Sequence, residues 1–145
     1  MLKASGAREY GVRNSRILQV LHGGFYLAAL IEGYWRNAEF GQTTLWGIGL
    51  YLLSVVVLLT VWYDLGELWT VKLYVAPDHE VAQSWLFRSI RHPNYFLNII
   101  PELVGLGLVL HAWFVLTVGL PIYAVSLGLR IVQEERVMGR HFNDY

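Results

Sequence analysis

Four hydrophobic stretches, separated by short polar segments, dominate the pattern along the chain. They occupy residues 17–35, 44–63, 95–110 and 112–129. The second has no charged residue and, as a helix, is long enough to cross a hydrocarbon layer about 30 Å thick. Only His111 separates the last two, which predicts a helical hairpin that crosses and returns. The pattern predicts an all-α membrane bundle with about four transmembrane helices, forming a single domain over residues 1–145.

The basic residues lie on one side of this predicted topology. If the N-terminus is cytoplasmic, every Lys and Arg except Arg36 lies in a segment that faces the cytoplasm. This distribution predicts a multi-pass integral membrane protein with its N- and C-termini in the cytoplasm. The same orientation brings residues 64–95 and 130–145 to one face of the membrane. Within the first of these segments, Pro77 and Asp78 predict a turn with a short helix on each side.

Composition and charge narrow the possible functions. The chain is 55% hydrophobic, carries 11 basic and 11 acidic residues, and has no cysteine. A net charge of zero argues against a nucleic-acid-binding surface. The lack of cysteine excludes thiol catalysis and thiolate metal sites. His22 and His111 have no second ligand at helical spacing, so no metal site is predicted.

Two clusters of polar residues could carry chemistry. Arg91 and His92 precede Pro93 and the predicted start of the third helix, where unpaired N–H groups favour an anionic ligand. The alternative is that Arg91 contacts lipid phosphates and His92 only caps the helix. In the second cluster, Arg130 and Glu134 lie four residues apart and can pair on one helical face. The same spacing is also typical of an interfacial ion pair.

Two carboxylates lie inside the hydrophobic stretches. Glu102 shares a helical face with Tyr95 and Asn98, which predicts that this face points into the bundle rather than toward lipid. Ionisable residues within a membrane are commonly functional, so Glu102 is a candidate either for function or for essential bonding between helices. Glu102 and Asn98, on the same face, are the candidate substrate-binding residues. Glu32 lies nearer the end of its stretch and can reach the interface.

A series of short motifs occupies the second half of the chain. They are LGELWT at residues 65–70, Pro77 and His79, RHPNY at 91–95, RIVQEE at 130–135, and finally Phe142 and Tyr145. In this order, with an apolar hairpin after RHPNY, they resemble the isoprenylcysteine carboxyl methyltransferase family of integral membrane enzymes, in its compact prokaryotic form. The resemblance implies methyl transfer from S-adenosylmethionine, held in a cytoplasmic pocket, to a carboxyl or hydroxyl group of a lipophilic acceptor. A carboxyl acceptor is favoured.

The resemblance also implies roles for individual residues. Arg130 and Glu134 would orient the acceptor, and Arg130 would also bind the substrate. The catalytic residues would be Arg130, Glu134 and His92, while a hydroxyl acceptor would need His92, Glu134 or Glu135 as a base. The implied cofactor-binding residues are Trp69, Val75, Pro77, His79, Arg91, His92, Asn94, Tyr95, Glu135 and Tyr145.

The expected partners are a lipophilic small-molecule or lipidated substrate and membrane lipids. No nucleic-acid partner is expected, and a homo-oligomer is left open. Two other function classes stay open. NADPH-dependent reductases of the sterol-reductase type have a similar motif and hairpin, although 145 residues leave little room for a dinucleotide. A non-catalytic membrane protein would bind lipid head groups through Arg91 and Arg130. A phospholipid N-methyltransferase is a variant of the favoured class.

Overall fold

The computed structural model describes residues 8–10, 12–65, 73–75, 92 and 94–141. These residues form four helices and a small antiparallel ribbon of two strands. The elements are β1 (Arg8–Tyr10), α1 (Val12–Arg36), α2 (Gln42–Leu65), β2 (Leu73–Val75), α3 (Asn94–Val109) and α4 (residues 115–141). The fold is therefore helical, as predicted, apart from the ribbon.

The strand β2 corrects the prediction of a short helix just before Pro77. Its residues pair with β1, so that Glu9 lies opposite Tyr74. Leu, Tyr and Val fit the pleated surface of a strand well, and pairing with β1 satisfies backbone groups that a short isolated helix would leave exposed.

Among the residues that the structure describes, two helices are long and apolar enough to cross a membrane, namely Gln42–Tyr63 within α2 and Val115–Arg136 within α4. Their large apolar side chains are widely exposed, with Leu52 at 58% and Val125 at 66%. Such surfaces are expected in lipid rather than in water. Helix α1 is 25 residues long but contains several polar residues, and α3 is a shorter apolar helix. The features are those of a membrane protein, and a crossing by all four helices stays a prediction.

Helices α3 and α4 both begin with a π-helical segment, Asn94–Ile99 in α3 and Val115–Gly119 in α4. A proline follows each segment by two residues, Pro101 in α3 and Pro121 in α4. Proline lacks the helical N–H, and its ring clashes with the carbonyl four residues earlier, so a wider turn relieves the clash. Helix α4 then continues past the predicted end of its hydrophobic stretch to His141.

A tight turn joins α3 to α4, as predicted, and the crossing of a membrane by this hairpin stays a prediction. His111 adopts a left-handed conformation with φ of 52°. The amides of His111 and Ala112 donate to the carbonyls of Leu108 and Gly107, at 3.3 and 2.8 Å, and so end α3. The Thr44 hydroxyl lies 3.3 Å from Nε2 of His111 and ties this turn to α2.

Glu32, near the end of α1, caps the start of α4. Its carboxylate oxygens accept hydrogen bonds from the backbone amides of Phe114 and Val115, both at 2.9 Å. Nε of Arg36 donates to the same carboxylate at 2.7 Å. The helix N-terminus has unpaired amides and a positive dipole end, both of which favour a carboxylate. Glu32 is therefore assigned to holding α1 and α4 together.

We expect Glu32→Ala to lower the free energy of unfolding by about 1 to 2 kcal/mol, because two helix-end amides lose their acceptor. Thermal unfolding of the purified protein measures the change. Glu39→Ala is the matched control, since Glu39 is an exposed residue in the same turn region. Equal melting temperatures for the two variants would contradict the capping role.

Helices α2 and α3 approach closely through two glycines. A Cβ at Gly47 would lie 2.8 Å from the carbonyl oxygen of Gly105, and one at Gly105 would lie 2.8 Å from the amide nitrogen of Tyr51. This contact places the face of α3 that carries the candidate site residues inside the bundle. The core between α1, α3 and α4 contains Phe25, Ala29, Leu103, Ala112, Val115, Tyr123 and Leu127.

Candidate functional site

A cavity of about 380 Å³ lies between the helices and is lined by residues from all four of them. Because successive helices run in opposite directions, the starts of α1 and α3 meet the C-terminal half of α4 at one end of the bundle. The lining residues are Ser15, Leu18, Gln19, His22, Leu58, Asn94, Tyr95, Asn98, Ile99, Glu102, Tyr123, Leu127 and Arg130.

Arg130 is the charged group at one end of this cavity. Its Nε donates to Oε1 of Glu134 at 3.0 Å, which confirms the pairing predicted from their spacing. Its Nη1 donates to the hydroxyl of Ser15 on α1 at 2.9 Å. Only 2% of Arg130 is exposed. A buried guanidinium fixed from two helices is a rigid, permanently charged binding group for an anion.

Glu134 connects Arg130 to the residues at the start of α3. The Tyr95 hydroxyl donates to Oε1 of Glu134 at 2.5 Å. Nδ1 of His92 lies 3.5 Å from the other oxygen, Oε2 of Glu134, and Nε2 of His92 lies 3.5 Å from Oε1 of Glu135. The rings of His92 and Tyr95 stack with centroids 5.7 Å apart.

The two carboxylates determine the charge of His92. The hydrogen bond with Glu134 is the largest cause that raises the pKa of His92 above its ordinary value, and Glu135 acts in the same direction. Burial lowers this pKa but is outweighed. The protonated imidazolium is therefore stabilised between Glu134 and Glu135.

The raised pKa of His92 predicts how stability changes with pH. The imidazolium contributes its full stabilisation below the unfolded pKa of about 6.5, and this contribution is lost as the pH rises through the higher folded pKa. We expect the melting temperature of the wild-type protein to fall over that range relative to His92→Gln. Thermal unfolding at a series of pH values measures the difference. Parallel curves for the two proteins would contradict the pairing.

A second polar cluster lies farther along the same cavity. The Tyr26 hydroxyl donates to Oε1 of Glu102, and Nε2 of His22 lies 3.5 Å from the same oxygen. Nδ1 of His22 lies 3.4 Å from the hydroxyl of Tyr123. Glu102 lines the cavity, so the prediction that its face points into the bundle is confirmed. Asn98 is buried and donates to Oδ1 of Asn94 at 2.9 Å.

The structure joins five of the predicted site residues in one network: Arg130, Glu134, Glu135, His92 and Tyr95. Asn94, Asn98 and Glu102 line the cavity with Arg130. Val75 lies in β2, opposite Arg8. Trp69, Pro77, His79, Arg91 and Tyr145 lie outside the described residues. The functional roles of all these residues stay predictions.

The sequence analysis did not single out Ser15 or Tyr123, and it considered His22 only as a metal ligand. All three line the cavity and contact a predicted site residue or one another. One signal could have found two of them. Ser15 and His22 lie seven residues apart on α1, and therefore on one helical face.

Comparisons with known proteins show which family and which relatives the chain resembles. Residues 47–140 match the sequence profile of the Isoprenylcysteine carboxyl methyltransferase (ICMT) family. An uncharacterized protein of Haemophilus influenzae is 48% identical over 141 residues, which is 97% of this chain and 82% of that protein. The uncharacterized protein YpbQ of Bacillus subtilis is 27% identical over 139 residues, covering 94% of this chain and 81% of its own. No solved structure matches the chain.

The family match includes the cavity-lining parts of α2, α3 and α4 and extends over more than half of the chain. The chain therefore belongs to the isoprenylcysteine carboxyl methyltransferase family of membrane enzymes.

Proposed function

We propose that the protein transfers a methyl group from S-adenosylmethionine to a carboxyl or hydroxyl group of a lipophilic acceptor, and that a carboxylate is the favoured acceptor. The observation that carries the proposal is the buried Arg130, which lines the cavity and is fixed by Ser15 and Glu134. A cation at one end of a largely apolar cavity suits an amphiphile with an anionic head and a hydrophobic body.

The described residues fit the positively charged groups and the ribose hydroxyls of S-adenosylmethionine. The cofactor carries positive charge on its sulfur and on its amino group, and it has ribose hydroxyls that donate hydrogen bonds. Glu135, 44% exposed beside His92, offers a carboxylate to such donors. When bound, the cofactor would supply an electrophilic methyl group.

Arg130 would hold an acceptor carboxylate so that one of its oxygens faces that methyl group. A carboxylate is already deprotonated, so this reaction needs orientation and the exclusion of water rather than a base. A hydroxyl acceptor must lose its proton. Glu134 and Glu135 are the candidate bases for that proton, because the protonated His92 between them cannot accept one.

The proposal also includes the membrane topology and the route by which the acceptor enters. We propose four membrane-crossing helices with both termini in the cytoplasm, so that Arg130, Glu134 and His92 lie at the cytoplasmic end of the bundle. The acceptor, a lipophilic small molecule or a lipidated compound, would enter from the bilayer. The apolar walls of the cavity, such as Leu58, Ile99 and Leu127, support this route.

The test is isothermal titration of the detergent-purified protein with S-adenosylhomocysteine, with NADPH titrated in parallel. We expect saturable binding of S-adenosylhomocysteine alone. His92→Ala should weaken that binding by about tenfold, because a stacked and hydrogen-bonding ring is lost. Binding of NADPH alone would assign the protein to the reductases. Binding of neither would favour a non-catalytic lipid-binding protein.

A further inference from the structure

The cavity has polar groups at both ends. The end that contains Ser15 and Arg130 is called the head end. The end that contains His22, Tyr123 and Glu102 is called the inner end. Ser15 and His22 are seven residues apart on α1, and Tyr123 and Arg130 are seven apart on α4. Two helical turns separate the ends in both helices, which corresponds to about 10 Å.

Between the two ends the walls are mainly apolar. They contain Leu18, Leu58, Ile99 and Leu127, with the side chains of Gln19 and Asn98 among them. A ligand that fills the cavity therefore meets a cation, then a hydrophobic section, and then a second polar group.

The inner end is built to receive a hydrogen-bond donor. Glu102 and His22 line the cavity and keep side-chain exposures of 17% and 31%. Within the described part of the chain, the hydrogen bond from Tyr26 and the contact of His22 both reach Oε1 of Glu102, and no side chain donates to Oε2. A carboxylate oxygen at this depth is costly unless a donor pairs with it.

We propose that the inner end is a second recognition site, which selects acceptors with a hydroxyl group about 10 Å from the carboxyl or hydroxyl group held at Arg130. This inference rests on the proposed function for the role of the head end. A plain hydrocarbon chain would cover Glu102 and His22 without satisfying them, which disfavours it.

The experiment compares two acids that differ only in this hydroxyl. Octanoic acid and ω-hydroxyoctanoic acid are titrated into the detergent-purified full-length protein, because the extended hydroxy acid matches the separation of the two ends. We expect the hydroxy acid to bind at least about tenfold more tightly. Equal affinities, weaker binding of the hydroxy acid, or no binding of either acid would overturn the proposal.

Two variants in the same hydrogen-bonded network distinguish a role of Glu102 in ligand recognition from a purely structural role. Glu102→Leu should abolish or invert the preference for the hydroxy acid. Tyr51→Phe removes the hydrogen bond between Tyr51 and Tyr26 (3.1 Å) but does not alter the cavity lining, so it should keep the preference. If Glu102→Leu does not fold, Glu102→Gln is used, and a neutral amide should reduce the preference severalfold. An unchanged preference in either Glu102 variant would overturn the proposal.

Titration of the same samples with S-adenosylhomocysteine distinguishes this proposal from the proposed function. Binding of S-adenosylhomocysteine without any preference between the acids would support the methyltransferase proposal and refute the proposal of a recognition site at the inner end. A preference that depends on Glu102, without binding of S-adenosylhomocysteine, would support the inner site and refute the methyltransferase.

Discussion

Arg130→Ala is expected to reduce the turnover of acceptor by roughly a hundredfold or more, since removing one partner of a buried charge pair costs several kcal/mol. The variant loses the group that orients the acceptor, and it leaves Glu134 without the guanidinium that now lies 3.0 Å from it. Arg130→Lys keeps the positive charge but loses the planar fork of donors, so it should recover only part of the activity. Methyl transfer from labelled S-adenosylmethionine to extracted lipids measures turnover.

The control is Arg136→Ala, which removes an exposed basic residue from the same helix. It should keep the turnover of the wild-type protein. Binding of S-adenosylhomocysteine should persist in Arg130→Ala, because the proposed cofactor contacts lie with His92, Tyr95 and Glu135. Wild-type turnover in Arg130→Ala would remove Arg130 from the catalytic assignment, and lost cofactor binding would indicate damage to the whole site.

The helices could be predicted because the physical demands of a membrane leave a strong pattern. A helix that crosses hydrocarbon must be long and apolar, and residues 44–63 show this without interruption. The π-helical starts of α3 and α4 and the extension of α4 to His141 depend on local backbone geometry. The ribbon of β1 and β2 depends on contact between distant segments, which periodicity along one segment does not record.

The contacts of the candidate site that lie within one helix could be predicted from the sequence, whereas those between distant segments could not. The pair of Arg130 and Glu134 follows from a spacing of four residues on one helix. The contacts of Arg130 with Ser15, and of His92 with Glu135, join segments that are distant in the sequence and required the structure. The role of Glu32 could not be predicted from its own segment, because its carboxylate binds the amides of a helix that begins more than eighty residues later.

The second large effect is expected at the contact between α2 and α3. Gly47→Ala should lower the free energy of unfolding by about 1 to 3 kcal/mol, because the new methyl group overpacks a closed interface. Its Cβ would lie 2.7 Å from the amide nitrogen of Val109 and 2.8 Å from the carbonyl oxygen of Gly105. These are backbone atoms, so rotation of a side chain cannot relieve the overlap and the helices must separate.

Gly49→Ala is the matched control, since nothing lies within 4 Å of a Cβ at that position on the same helix. Alanine favours helix by up to about 1 kcal/mol over glycine, so this variant should be neutral or more stable, opposite in sign to Gly47→Ala. Thermal unfolding of both variants measures the difference, and equal melting temperatures would contradict the close contact. Because α3 carries Tyr95, Asn98 and Glu102, its displacement in Gly47→Ala should also lower turnover. The activity of this membrane enzyme would then depend on two glycines that touch neither substrate nor cofactor.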